Sequence, residues 1–232
     1  MIDLFRINFS KNKYKICVFI LLSAASLVCI SLVAARITYS GSSQYINLIW
    51  NLFLAWIPFV LAYLAYLFSW RRSLMYIVIP SFALLWLIFF PNAPYILTDF
   101  QHLVQESSKV PLWYDVILLI WFSWTGMLLG IVSLNLMQEI IKRQISRWAG
   151  WAFVFIVAGL SSVGLYLGRF IRLNSWDVLQ QPGKIASNIP DWLSDPSLRS
   201  IGFIALYTLF FIFVYLTLYA FGHVYHEGSG KS

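Results

Sequence analysis

The sequence predicts an all-α membrane protein with about six transmembrane helices, and two observations support this class. The chain has 232 residues, of which 60% are apolar and 11% are charged, and its mean hydropathy is +0.76. Soluble domains carry about 25% charged residues, so this chain has too few charges to cover a globular surface. The second observation is that apolar runs recur at the length of about 20 residues that one bilayer crossing requires.

Six runs meet this length criterion, and they set the predicted domain organisation. They cover 16–35, 46–70, 74–90, 112–137, 148–168 and 201–225. We therefore predict a single polytopic transmembrane domain over 16–226, preceded by an N-terminal segment (1–15) and followed by a short tail (227–232). The first run also follows basic residues, as in a signal peptide. Signal peptides have a shorter apolar region and a small-residue cleavage site, so we expect the run to be retained, with cleavage as the alternative.

The distribution of Lys and Arg predicts the orientation. The N-terminal segment, the loops near 71–72 and 142–147 and the tail hold ten of these residues, whereas the opposite side holds six. Cytoplasmic loops carry the excess of Lys and Arg, which predicts that both termini are cytoplasmic and that the protein is a multi-pass protein of a bacterial inner membrane. The net charge of +7 is thereby explained by the loops, and we expect no nucleic-acid partner.

The longer loops lie on the predicted outer side, and the first of them contains an amphipathic segment. It follows Pro91-Asn92-Ala93-Pro94-Tyr95 and covers residues 96–106. At helical spacing its apolar residues share one face and its polar residues share the other. The segment is thus either an interface helix with a solvated polar stripe or a site in which Asp99 orients His102. The polar residues are Thr98, Asp99, His102 and Glu106.

A second set of outer residues combines acidic and basic side chains at the ends of spans. Asp115 lies in the first turn of the fourth span, where an acid complements the helix dipole or pairs with a base from another segment. Arg169 and Arg172 at the end of the fifth span are the predicted bases, and they share a face if the helix continues. They either reach water and lipid phosphate or bind an anion. Asn174 and Asp177 are typical of a helix cap.

Glycine pairs in the spans predict close helix packing. Gly126 and Gly130 lie four residues apart in the fourth span, as do Gly164 and Gly168 in the fifth. Such small-residue faces allow helix backbones to approach each other. We expect packing within the chain, with a homo-oligomer through these faces as the alternative.

Three of these segments carry a family resemblance. The stretches at 90–100, 113–115 and 168–177 include Pro-Asn-Ala-Pro-Tyr, Trp-Tyr-Asp and Asn-Ser-Trp-Asp. They resemble a bacterial integral membrane family catalogued as domain of unknown function 1361, and the likeness extends from the second span to the last. The resemblance implies a bacterial multi-pass membrane protein and brings no activity, substrate or cofactor.

The sequence leaves open whether the protein is an enzyme. Our first hypothesis is an outward-facing polar pocket for an anionic or lipid-linked ligand. The catalytic candidates are His102, Asp99 and Asp115, with His102 as general base, and the ligand-binding candidates are Arg169, Arg172, Asn174, Asp177 and Asn92. The alternative is a structural or assembly partner in the membrane. A transporter component is disfavoured because the spans lack charges between their ends. We expect no metal and no cofactor.

Overall fold

The structure is a computed structural model that describes residues 9–70, 77–104, 109–173, 175–180, 183 and 197–229. Every regular element in these ranges is a helix. Six helices are long and apolar enough to cross a membrane, which confirms the predicted fold class. These candidate spans are Ile16–Ser40, Asn47–Phe68, Val78–Gln101, Leu112–Gln144, Arg147–Ile171 and Leu198–Gly222.

Eight α-helices, one 3-10 helix and one π-helical turn form the described chain. The α-helices are α1 (Phe9–Ser40), α2 (Asn47–Phe68), α3 (Val78–Phe89), α4 (Asn92–Tyr95), α5 (Leu112–Gln144), α6 (Arg147–Tyr166), α7 (Asp177–Gln180) and α8 (Leu198–Ser229). The 3-10 helix (Ile96–Val104) follows α4 directly, and the π-helical turn (Leu167–Ile171) follows α6 directly.

Successive spans run in opposite directions, so the bundle has two ends. We call one the Arg36 end: α1, α3 and α6 end there, and α2, α5 and α8 begin there. We call the other the Lys142 end. Different helices are in contact at each end. Arg36 on α1 bonds to Asp115 on α5 at the Arg36 end, and Lys142 on α5 lies over the Tyr219 ring of α8 at the Lys142 end.

Helix α5 forms the centre of the bundle. The buried fraction of its most apolar window is 61%, compared with 22% for α1 and 17% for α8. Leu118, Leu119 and Phe122 on α5 are fully buried against α1 and α2. Helices α1 and α8 therefore form the periphery, with apolar faces suited to lipid.

The chain segment 91–95 packs between the two glycine faces. A Cβ atom added at Gly126 would lie 2.6 Å from the carbonyl oxygen of Ala93. A Cβ atom added at Gly164 would lie 2.6 Å from Cγ of Pro91. Gly126 belongs to α5 and Gly164 to α6. The absence of side chains at these two positions leaves room for the segment 91–95 between the helices. Homo-oligomerisation through these faces stays a prediction.

The prolines of this segment do not end the third span. Backbone torsions remain helical at Pro91 and through α4 into the 3-10 helix. Backbone carbonyls of the turn that precedes Pro91 also accept hydrogen bonds from side chains. The Asn92 side chain donates to the Phe89 carbonyl at 2.9 Å, and the Ser175 hydroxyl donates to the Ile88 carbonyl at 2.9 Å.

We predict that Gly164→Ala and Gly126→Ala each lower the free energy of unfolding by about 1–3 kcal/mol, because the added methyl group overpacks a rigid neighbour. The measurement is equilibrium unfolding in detergent micelles. Gly159→Ala in the same helix as Gly164 is the matched control, since its added Cβ meets nothing within 4 Å. The control should be neutral or stabilising by up to about 1 kcal/mol. Equal effects at Gly164 and Gly159 would contradict the packing described.

Candidate functional site

A buried ion pair joins three elements at the Arg36 end. Nη1 of Arg169 donates to Oδ1 of Asp99 at 2.9 Å, and the two side chains are 9% and 6% exposed. Nδ2 of Asn51 donates to the other carboxylate oxygen at 2.9 Å. The pair thus connects the end of the fifth span to the 3-10 helix, and the bond from Asn51 links the first turns of α2 to the same carboxylate.

This contact joins two regions that the sequence analysis assigned to one predicted outward-facing pocket. It also corrects the expected position of the polar stripe, because Asp99 and Thr98 are 4% and 7% exposed. Asp99 is buried because Arg169 and Asn51 supply its partners there, whereas Thr98 donates to the carbonyl of Tyr95 in its own preceding turn at 2.7 Å. The side chain of His102 lies outside the described part of the structure, so its relation to Asp99 stays a prediction.

The sequence predicts that Arg169 and Arg172 share a helix face, but the helix ends before Arg172. The helix widens into the π-helical turn at Leu167 and ends at Ile171. Arg172 then adopts the left-handed conformation with φ 59° and has an exposed side chain. The guanidinium of Arg169 lies inside the bundle, where it also donates to the Tyr95 hydroxyl at 3.3 Å.

Asp115 pairs with Arg36, and not with the arginines of the fifth span. Nε and Nη2 of Arg36 donate to the two carboxylate oxygens at 2.7 and 3.0 Å. Nη2 also donates to Gln44 at 3.0 Å, and the guanidinium lies 4.5 Å from the centre of the Tyr45 ring. The helix-dipole account of Asp115 is therefore incomplete, because a bidentate ion pair holds its carboxylate between α1 and α5.

Tyr45 lies in the loop between α1 and α2 and covers this second ion pair. Burial raises the pKa of its phenol, and the negative charge of Asp115 adds to the increase, while the positive charge of Arg36 opposes it. The phenol consequently stays protonated at neutral pH. Its neutral ring over Arg36 helps to exclude water from the pair.

A cavity of about 240 Å³ lies beside the Asp99–Arg169 pair. Asn51 and Tyr95, which bond to that pair, also line the cavity. Its remaining polar lining comes from Asn92, Ser175 and two tryptophans, Trp50 and Trp176, whose ring centres are 6.3 Å apart. The apolar lining consists of Leu54, Ile88, Pro91, Gly164, Leu167, Gly168 and Leu173. We call this the Asn51 cavity.

Of the three other predicted ligand-binding residues, Asn92, Asp177 and Asn174, one lines this cavity. Asn92 lines it, whereas Asp177 is buried in the first turn of α7, and Asn174 lies outside the described residues. Sequence reasoning missed Tyr95, Ser175 and both tryptophans as lining residues, because they come from three separate segments. Asn51 could have been identified from the sequence, because a polar amide within an apolar span marks a candidate functional residue. Within the described ranges, no cluster of three or more His, Cys, Asp or Glu side chains could hold a metal ion.

Several hydroxyl groups inside the spans are bonded to backbone carbonyls. Thr125 and Ser162 each donate four residues back along their own helices, at 2.8 and 3.0 Å. Ser123 donates to the Ile96 carbonyl at 3.3 Å. These three hydroxyls therefore have partners within the protein, whereas Oγ of Ser161 is buried without a hydrogen-bond partner among the described residues.

Comparison with known proteins identifies the family. The family described as a protein of unknown function (DUF1361) matches residues 50–215. This range holds Asn51, Asp99, Asp115 and Arg169. The chain belongs to the DUF1361 family. No curated protein and no solved structure matches the chain.

Arg36 of this DUF1361 protein lies before the matched range, whereas its partner Asp115 lies within it. The lining of the Asn51 cavity, from Trp50 to Trp176, lies entirely within the matched range. The DUF1361 region thus contains the complete cavity.

We predict that Asp115→Asn lowers the free energy of unfolding by about 3–5 kcal/mol, because it leaves the guanidinium of Arg36 buried without its counter-charge. Arg36 is 1% exposed. Chemical or thermal unfolding in micelles measures the effect.

Glu139→Gln is the matched control, since it also removes one carboxylate from an ion pair. The Glu139–Lys142 pair is more open, with side chains 40% and 13% exposed, so the expected loss is at most about 1 kcal/mol. Comparable losses of unfolding free energy for the two variants would show that burial does not determine how much the Arg36–Asp115 pair stabilises the protein.

Proposed function

We propose that this multi-pass membrane protein binds the headgroup of a lipid-linked ligand in the Asn51 cavity. The observation that carries the proposal is the convergence of polar side chains from α2, the 91–95 segment and residues 175–176 at one end of the spans. A concave site with apolar walls and a few convergent polar groups is the usual form of a ligand site.

The position of the cavity along the bundle supports a ligand that is held in the membrane. Its lining comes from the first turns of α2 and the last turns of α3 and α6, where a bilayer changes from hydrocarbon to headgroups. Trp50 is 54% exposed and stacks on Phe53, which is 55% exposed, at a ring distance of 5.4 Å. Amphipathic aromatic rings favour this depth. A headgroup in the cavity would leave its chains beside this aromatic pair.

The excess of Lys and Arg in the loops at the Lys142 end supports an outward-facing cavity. Ten of these residues are assigned to that side and six to the other, which puts the Arg36 end outside under the positive-inside rule. We accordingly propose a location in the bacterial inner membrane, with the cavity open to the outer leaflet.

The experiment uses a cysteine introduced by Ser175→Cys in a background of Cys17→Ser and Cys29→Ala. The protein is reconstituted either in phosphatidylcholine vesicles or in vesicles made from a total bacterial lipid extract. We expect labelling by a small maleimide to be severalfold slower in the bacterial lipids, because an occupied cavity shields the thiol.

The matched control is Ser43→Cys in the same background. Ser43 is exposed at the same end of the bundle and does not line the cavity. Its labelling rate should be the same in both lipids. If the two thiols respond alike, or if Ser175→Cys shows no protection, the proposal fails.

A further inference from the structure

We infer that the Asn51 cavity takes a neutral, hydroxyl-rich group such as a glycosyl headgroup, and not an anion. This inference rests on the proposed function and specifies its ligand class. It follows from counting which donors and acceptors in the cavity are already used by the protein, and from the charges beside it.

The amide orientations leave two acceptors in the cavity. Nδ2 of Asn92 donates to the Phe89 carbonyl and to Oγ of Ser175, so the nitrogen must be on that side and Oδ1 on the other. Nδ2 of Asn51 donates to the Asp99 carboxylate, which fixes that amide in the same way. No described residue donates to Oδ1 of Asn51 or of Asn92. Both carbonyl oxygens therefore remain available to a ligand.

The cavity also offers donors. The Tyr95 oxygen accepts a hydrogen bond from Arg169, so its own hydrogen must point elsewhere. Asn51 uses one of its two amide hydrogens for Asp99 and keeps the second. Trp50 and Trp176, which also line the cavity, each carry an indole N–H donor.

This combination suits hydroxyl groups better than phosphate or carboxylate groups. A hydroxyl both donates and accepts, so it can serve the amide oxygens and the Tyr95 hydroxyl together. An ionised phosphate or carboxylate only accepts, and it would face two amide oxygens that carry partial negative charge. The guanidinium of Arg169, which bonds to the Tyr95 hydroxyl, is already neutralised by Asp99 at 2.9 Å. The expected anion site at Arg169 is thus electrostatically compensated.

The dimensions and walls of the cavity agree with a single sugar ring. A volume of about 240 Å³ lies below the usual range for drug-sized ligands. The indole faces of Trp50 and Trp176 provide flat apolar surface on which the C–H face of a sugar ring can pack.

The test uses the Ser175→Cys reporter with three probes. These are phosphatidylcholine vesicles that contain monoglucosyl diacylglycerol, the same vesicles with phosphatidylglycerol in its place, and phosphatidylcholine vesicles with soluble methyl β-glucoside. We expect slower maleimide labelling with the glucosyl lipid only.

The alternative outcomes separate the two proposals. Protection by phosphatidylglycerol without protection by the glucosyl lipid would overturn the inference and leave the proposed function standing. Equal protection by methyl β-glucoside would support the hydroxyl-rich group and overturn the requirement for a lipid. If neither lipid protects and the bacterial extract also fails, both proposals fall.

A point variant tests the donor directly. Tyr95→Phe removes the hydroxyl and should weaken protection by the glucosyl lipid about tenfold in half-saturating concentration, the equivalent of one hydrogen bond. Tyr39→Phe is the matched control, because Tyr39 lies at the same end, is 71% exposed and does not line the cavity. An unchanged half-saturating concentration in Tyr95→Phe would count against the inference.

Discussion

The ion pair between Asp99 and Arg169 is the interaction on which the arrangement around the Asn51 cavity depends. A charged side chain inside an apolar bundle is costly unless a partner compensates it, and each of these residues supplies the compensation for the other. Because Asp99 also accepts from Asn51, one carboxylate holds α2, the 3-10 helix and the end of the fifth span in fixed relation. The Asn51 cavity lies between these same elements, so its shape follows from that pair.

The Pro-Asn-Ala-Pro-Tyr segment supplies the backbone that makes this arrangement possible. Asn92 and Ser175 donate to the carbonyls of Phe89 and Ile88 just before this segment, and both side chains also line the cavity. Gly126 and Gly164 leave the space in which the segment lies between α5 and α6. Local backbone chemistry and helix packing therefore determine which hydrogen-bonding atoms remain for a ligand.

The fold could be predicted from the sequence, whereas the partners of the charged residues could not. Span number and helix class follow from apolar run length, which is a local property of the chain. The partner of Asp115 depends on which helix packs beside α5, and sequence spacing does not encode this, so Arg36 was missed. The burial of Asp99 was missed because a polar stripe at helical spacing is compatible with solvent or with a buried partner. Arg172 does not lie on the same face as Arg169, because a π-helical turn and the left-handed conformation of Arg172 interrupt the α-helical spacing that the sequence analysis assumed.

If Asp99 and Arg169 stabilise the bundle as one energetic unit, a double-mutant cycle will show coupling between them. The free energy of unfolding in micelles would be measured for the unmodified protein, Asp99→Asn, Arg169→Gln and the double variant. We expect the double variant to be destabilised by about 1–3 kcal/mol less than the sum of the two single variants. Additivity within about 0.5 kcal/mol would contradict it, because it would show that the two side chains do not stabilise each other.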